Sequence, residues 1–137
     1  MRYFMIVLCA AVALTALAGC GQRKGVVYGK VTLDGKPLDN GDIQFVPEAG
    51  DGQTAGGIIG ADGSFRVANV SPTKMKVVVN SSKVVGHRRR MEEDPNSEMI
   101  EVREAAVPTK YLDREKTDLS ITVVPGDNQK DFDLKSK

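Results

Sequence analysis

The sequence predicts an all-β protein, a seven-stranded antiparallel β-sandwich preceded by a cleaved signal peptide. Seven short segments between residues 26 and 135 alternate apolar and polar residues, and a period of two is typical of half-buried strands. Turn dipeptides such as Asp34-Gly35, Asn40-Gly41 and Asp62-Gly63 separate several of these segments. No segment between them has the length and period of a helical crossover, which favours antiparallel pairing in two packed sheets.

The first three strands are predicted at 26–33, 42–46 and 55–60. Their apolar residues recur at every second position, so one face of each strand is expected to be buried. The residues expected to face inward are Val27, Gly29, Val31 and Leu33 in the first strand, Ile43 and Phe45 in the second, and Ile58 or Ile59 in the third.

Four further strands are predicted at 64–70, 74–80, 119–124 and 130–135. The Asp62-Gly63 pair predicts a hairpin between the third and fourth strands, and Pro125-Gly126-Asp127-Asn128 predicts a turn before the last strand. The residues expected to face inward are Phe65, Val67, Met75, Val77, Val79, Leu119, Ile121, Val123, Phe132 and Leu134.

Residues 81–117 are predicted to form a long charged loop. The run His87-Arg88-Arg89-Arg90 is followed closely by Glu92-Glu93-Asp94. Within this loop, residues 96–104 are compatible with one or two helical turns, and Tyr111 and Leu112 are expected to pack on the sandwich. A loop this long inside a small domain is uncommon and is either functional or mobile.

Residues 1–19 have the pattern of a secretory signal peptide. Arg2 supplies a positive charge, the stretch from Tyr3 to Ala18 is apolar except for Thr15, and small residues follow. The apolar stretch is shorter than the roughly 20 residues that a membrane-spanning helix needs. An exported and processed protein is therefore expected.

The residues Leu17-Ala18-Gly19-Cys20 resemble the bacterial lipoprotein signal, the lipobox. The resemblance implies that the Cys20 thiol receives a diacylglycerol and that a peptidase cuts between Gly19 and Cys20. Residues 20–25 would then be the lipidated N-terminus and a short tether, and residues 26–137 the folded domain. Cys9 leaves with the signal peptide, so the mature chain would form no intrachain disulfide. An ordinary signal peptide with an incidental cysteine is the alternative.

Three longer stretches resemble a family of short bacterial lipoproteins with a carboxypeptidase-regulatory-like, transthyretin-like domain. They are residues 29–48, 60–79 and 107–134, and the motifs that match are G-x-V-x-x-D-G-x-P-L at Gly29–Leu38, D-G-x-F at Asp62–Phe65, P-x-K-Y at Pro108–Tyr111 and D-F-D-L at Asp131–Leu134. The resemblance implies seven strands with Greek-key connections, as in transthyretin-like and immunoglobulin-like sandwiches, and it implies no activity. Pro72-Thr73 departs from the Pro-Gly usual in the family, and a turn that needs positive φ after Pro72 would be expected to have Gly there.

The candidate chemical groups are few. His87 is the single histidine, and no G-x-S-x-G context or set of zinc ligands accompanies it. The sequence therefore predicts no catalytic residue, no metal site and no cofactor. His87, Arg88, Arg89 and Arg90 are candidate anion-binding residues, because guanidinium groups pair well with anions, although the acidic residues after them would partly neutralise their charge.

The predicted function is that of a non-catalytic, membrane-anchored lipoprotein of the cell envelope, a structural or binding module. Its expected partners are the membrane, through acyl chains on Cys20, and an envelope protein or a glycan. The alternative is a glycan- or anion-binding module that uses residues 81–94. The formal net charge of +1 gives no field for nucleic acid. Gly21 stands where an Asp would mark inner-membrane retention, so the outer membrane is favoured over the inner.

Overall fold

The computed structural model describes residues 21, 23–50 and 52–137. The predicted signal peptide at residues 1–19, its cleavage site at Gly19 and the predicted lipidation site at Cys20 lie outside the described residues. Within the described residues the chain is all-β, with one short 3₁₀-helix at Thr109–Leu112. Its strands are β1 (Gly25–Leu33), β2 (Lys36–Pro37), β3 (Asp42–Pro47), β4 (Ala55–Ile58), β5 (Ser64–Val70), β6 (Lys74–Asn80), β7 (Ser82–Arg89), β8 (Met99–Ala105), β9 (Ser120–Thr122), β10 (Gly126–Gln129) and β11 (Phe132–Leu134).

The first sheet is organised around β1. This strand pairs with β5 on one side and with β10 and β11, one after the other, on its other side. Asp34 and Gly35 both have positive φ, 51° and 81°, and they form the two-residue turn that folds β2 back onto β1. The pairings of β1 with β10 and β11 are parallel, so the prediction of a purely antiparallel sandwich is wrong.

The second sheet has the strand order β4-β3-β6-β9, and all its pairings are antiparallel. Thr73 follows Pro72 in the turn that leads from the first sheet into β6. Its amide donates to the carbonyl of Ser71 at 2.9 Å, and Thr73 is absent from the residues with positive φ. The turn therefore does not need the glycine that the family resemblance led us to expect.

The two larger sheets enclose one hydrophobic core, as expected of a β-sandwich. Phe45 of the second sheet lies against Phe65 and Phe132 of the first, with ring centroids 6.1 and 6.3 Å apart. Tilted aromatic pairs at such distances stabilise by about 0.5–1.5 kcal/mol beyond their area burial. Most of the predicted inward residues are confirmed as buried, and the remainder are half-buried; Ile59, and not Ile58, is the buried residue of its pair.

Three local predictions are wrong. The described residues form eleven strands, and not seven. Gly63 does occupy a turn, with φ 79°, but β4 and β5 belong to different sheets, so the turn joins the two sheets and closes no hairpin. The turn predicted at Pro125-Gly126-Asp127-Asn128 is mostly a strand, since Gly126 to Gln129 form β10. Its partner β1 lies about 100 residues earlier in the chain, so no local pattern indicates the pairing.

Candidate functional site

Residues 82–105 form an arm, a two-stranded antiparallel sheet of β7 and β8. The prediction of a long charged loop at 81–117 is therefore wrong where β7 and β8 lie, and β8 occupies the predicted helical segment 96–104 from Met99 onward. Only residues 90–98, the tip of the arm, connect the two strands. Tyr111 is buried as predicted, at 2% exposure, and Leu112 packs against the core.

The arm has solvent on both faces. Val84, Val85 and Met99 are 44%, 45% and 60% exposed, and Met91 at the tip is 62% exposed. A bulge lies between Val84 and Gly86, where the register of β7 against β8 shifts. In the described residues neither strand pairs with any strand of the sandwich. An isolated two-stranded sheet is marginally stable in water. Pairing with a further strand would therefore stabilise this arm.

The four predicted anion-binding residues do not converge on one point. His87 and Arg89 lie on one face of β7, opposite Glu101 and Met99, whereas Arg88 lies on the other face opposite Ile100. The Arg89 guanidinium donates to the carbonyl of Pro95. Arg90 lies 3.7 Å from the Glu98 carboxylate. Acidic residues across the arm therefore neutralise part of the positive charge of residues 87–90.

A groove of about 730 Å³ lies where the arm joins the sandwich. Ser81, 2% exposed, donates from its hydroxyl to the side-chain oxygen of Asn40 at 3.0 Å. Asn80 donates to Asp42 at 3.2 Å, and Lys83 and Arg103 of the arm also line the groove. No sequence pattern indicates this groove apart from the Asn40-Gly41 turn. Gly41 has φ 124°, and its backbone packs against the carbonyl of Asn80.

The start of β1 lies at the opposite end of the sandwich from the arm. The Lys24 ammonium donates to the Ser71 hydroxyl at 3.2 Å, which places Lys24 beside the turn that precedes β6. The arm follows the other end of β6, after Asn80. The N-terminal segment and the arm are therefore separated by the length of the sandwich.

Two acidic residues that precede glycines, Asp34 and Asp62, are engaged in turns. Hydrogen bonds from the Ser64 hydroxyl and amide hold the pKa of Asp62 below its ordinary value. Hydrogen bonds from Ser136 do the same for the pKa of Asp34. In the part of the chain that the structure describes, no three His, Cys, Asp or Glu side chains come together in a way that could hold a metal ion.

An aromatic side chain lies on the outer face of the first sheet. The Arg66 guanidinium carbon lies 5.5 Å from the centre of the half-buried Tyr28 ring. This cation occupies one face of the Tyr28 ring, which is then not free to stack against a sugar. Among the described residues there is no helix long and apolar enough to cross a bilayer.

Comparison with known proteins gives little. No protein-family model matches the chain, and no curated protein matches it. Among solved structures, the chain is similar to the crystal structure of a 9R-lipoxygenase from Cyanothece PCC8801, with 13% identity and a TM-score of 0.38. The match covers 82% of this chain and 16% of that chain. A likeness at this TM-score carries no argument about fold or activity.

Proposed function

We propose that this protein is a lipoprotein of the bacterial cell envelope, anchored by acyl chains on Cys20, and that its β-sandwich is a non-catalytic structural or binding module. The observation that carries the proposal is the Leu17-Ala18-Gly19-Cys20 motif at the end of an apolar stretch. Two or more acyl chains hold a protein stably on a bilayer, because each buried CH₂ contributes about 0.8 kcal/mol.

The position of Lys24 supports this arrangement. Lys24 is bound to Ser71 at one end of the sandwich, so only residues 21–23 separate the lipidated cysteine from the folded domain. Three extended residues span about 10 Å. An anchor at Cys20 would hold that end of the sandwich close to the membrane surface, while the arm leaves the sandwich from the other end.

Membership of the carboxypeptidase-regulatory-like family, with its Greek-key connections, is part of the proposal. Its support is the match between family motifs and elements: Gly29–Leu38 covers the end of β1, the Asp34-Gly35 turn and β2, and Asp131–Leu134 includes β11. The surroundings of His87 support the non-catalytic role. Its side chain is exposed on β7 opposite Glu101, and the sequence has no nucleophile motif such as G-x-S-x-G for which it could act as a base. Anion or glycan binding by residues 81–94 stays a prediction.

Metabolic labelling with an alkyne analogue of palmitate tests the anchor. We expect the wild-type chain to be labelled, Cys20→Ser to be unlabelled and to keep its signal peptide, and the control Cys9→Ser to be labelled and processed like wild type. Equal labelling of wild type and Cys20→Ser would contradict the proposal. Separation of inner and outer membranes on a density gradient then tests the outer-membrane prediction.

A further inference from the structure

Strand β8 has an open edge, and the hydrogen bonds of the arm show which of its peptide groups point there. Arg90 N–H donates to the Glu98 carbonyl at 2.9 Å, and Ala106 N–H donates to the Ser81 carbonyl at 2.8 Å. In an antiparallel pair, bonded and non-bonded positions alternate along each strand. The even-numbered residues of β8 therefore point their peptide groups at β7. The odd-numbered ones, Met99, Glu101, Arg103 and Ala105, point theirs outward, and within the described residues no other strand pairs with that edge.

The charges on this edge are self-complementary in one register. A second antiparallel β8 must place outward-pointing residues opposite each other. Pairing centred on Glu101 or on Arg103 would set that residue against its own copy. Pairing centred on Val102 sets Glu101 opposite Arg103 of the second copy, and the reverse, in two opposite-charge pairs. Like charges directly opposite destabilise a sheet, and opposite charges stabilise it.

We infer that the protein forms a two-fold symmetric dimer in which β8 pairs with β8 of a second copy, with the symmetry axis at Val102. Such an interface is isologous, since the same residues serve on both sides. The register also puts Met99, 60% exposed, opposite Ala105 of the second copy. Two marginal two-stranded sheets become one four-stranded sheet, which has more than the three strands that independent stability requires.

The dimer also extends an ion pair that is already present in each arm. Arg103 bonds the Glu101 carboxylate of its own chain at 2.7 Å, so the two pairs together form a cluster of alternating charges. A second arrangement would pair β7 of one copy with β8 of another, with both arms pointing in the same direction. The width of the sandwich excludes it. Neighbouring arms would be about 10 Å apart, the distance between the two sheets of a single sandwich, and the sandwich bodies would overlap.

The groove at the base of the arm fits this arrangement. With the axis at Val102, Glu98 lies opposite Ala106 of the second copy, and Ala106 lines that groove. The acidic tip of one arm, Glu92-Glu93-Asp94, therefore approaches the end of the other arm where Lys83 and Arg103 line the groove. The dimer depends on β8 alone and does not depend on the lipid, so it stands or fails separately from the proposed anchor.

Cysteine cross-linking of the full chain in cells tests the dimer. At a non-hydrogen-bonded antiparallel pair the two Cα atoms lie about 4.5 Å apart, within the range of a disulfide. We expect Val102→Cys to give a disulfide-linked dimer under mild oxidation. Ile100→Cys is the matched control, because its two copies would lie about 13 Å apart in this register. Ile100→Cys should cross-link to co-expressed Glu104→Cys, which lies opposite it.

Charge exchange in the Val102→Cys background tests the register. Glu101→Arg alone and Arg103→Glu alone each place like charges opposite each other, and each should reduce cross-linking at least about threefold. The double variant Glu101→Arg/Arg103→Glu should restore it. Cross-linking of Ile100→Cys alone as efficient as that of Val102→Cys, absence of any cross-linked dimer, or failure of the double variant to restore it would overturn the inference.

Discussion

The hydroxyl of Ser81 donates to the side-chain oxygen of Asn40 at 3.0 Å, and this bond joins the arm to the sandwich. Ser81 is the residue between β6 and β7, and Asn40 precedes β3. The bond therefore fixes the point at which the chain leaves the second sheet and enters the arm.

Removal of this hydroxyl should loosen the arm without unfolding the sandwich. We expect Ser81→Ala to cost about 1 kcal/mol, because Asn40 loses a buried donor. Hydrogen–deuterium exchange of residues 82–105 should increase, while exchange of β3 and β6 stays as in wild type. An increase of the same size in both regions would show that Ser81 supports the sandwich and not the joint.

Gly29 should be intolerant of any side chain. A Cβ at this position would overlap the backbone carbonyl of Lys130, which lies beside β1 between β10 and β11. We expect Gly29→Ala to lower the free energy of unfolding by about 2–3 kcal/mol, because backbone must move to make room. The control is Gly86→Ala in the arm, where a Cβ meets no atom within 4 Å. Denaturant unfolding should separate the two variants, and equal stabilities would contradict the packing described for β1.

Tyr111 should stabilise the C-terminal end of the sandwich through its hydroxyl. The amide of Lys135 donates to that oxygen at 2.9 Å, and the Tyr111 side chain is buried. We expect Tyr111→Phe to cost about 1 kcal/mol, through the loss of one acceptor at a partly buried donor. Thermal unfolding measures the change, and faster amide exchange at Lys135 should accompany it. An unchanged exchange rate there would show that the bond does not form in solution.

Acid should destabilise the protein through carboxylates such as Asp62. Its pKa is lowered from the ordinary value of 3.8, chiefly by the Ser64 hydroxyl. A group whose folded pKa is depressed stabilises the fold above its unfolded pKa, and that contribution is lost as the pH falls through the folded pKa. We expect the free energy of unfolding to fall below about pH 4. The fall should be shallower in Asp62→Asn and in Ser64→Ala, and identical slopes in all three proteins would count against this assignment.

Alternation predicted the core well because each core strand is buried on one face. Ile43, Phe45, Met75, Val77 and Val79 occupy every second position of β3 and β6, and all are fully buried. A period of two carries this information whatever the order of the strands.

The arm and β10 could not be predicted in the same way. Strand β7 is exposed along nearly all its length, so burial imposes no alternation on its sequence, and its cations suggested a solvated loop. Strand β10 is held by parallel pairing with β1, and its Gly126-Asp127-Asn128 sequence is typical of a turn. The groove at Asn40 and Ser81 is formed by residues 41 positions apart, which only the tertiary fold brings together.

The most direct test of the account is the mass of the N-terminal tryptic peptide, residues 20–23, of the protein extracted from membranes. We predict a peptide that begins at Cys20 and carries the added mass of a diacylglycerol thioether. A peptide that begins at Cys20 with a free thiol, or a chain that retains residues 1–19 and bears no lipid, would contradict the account.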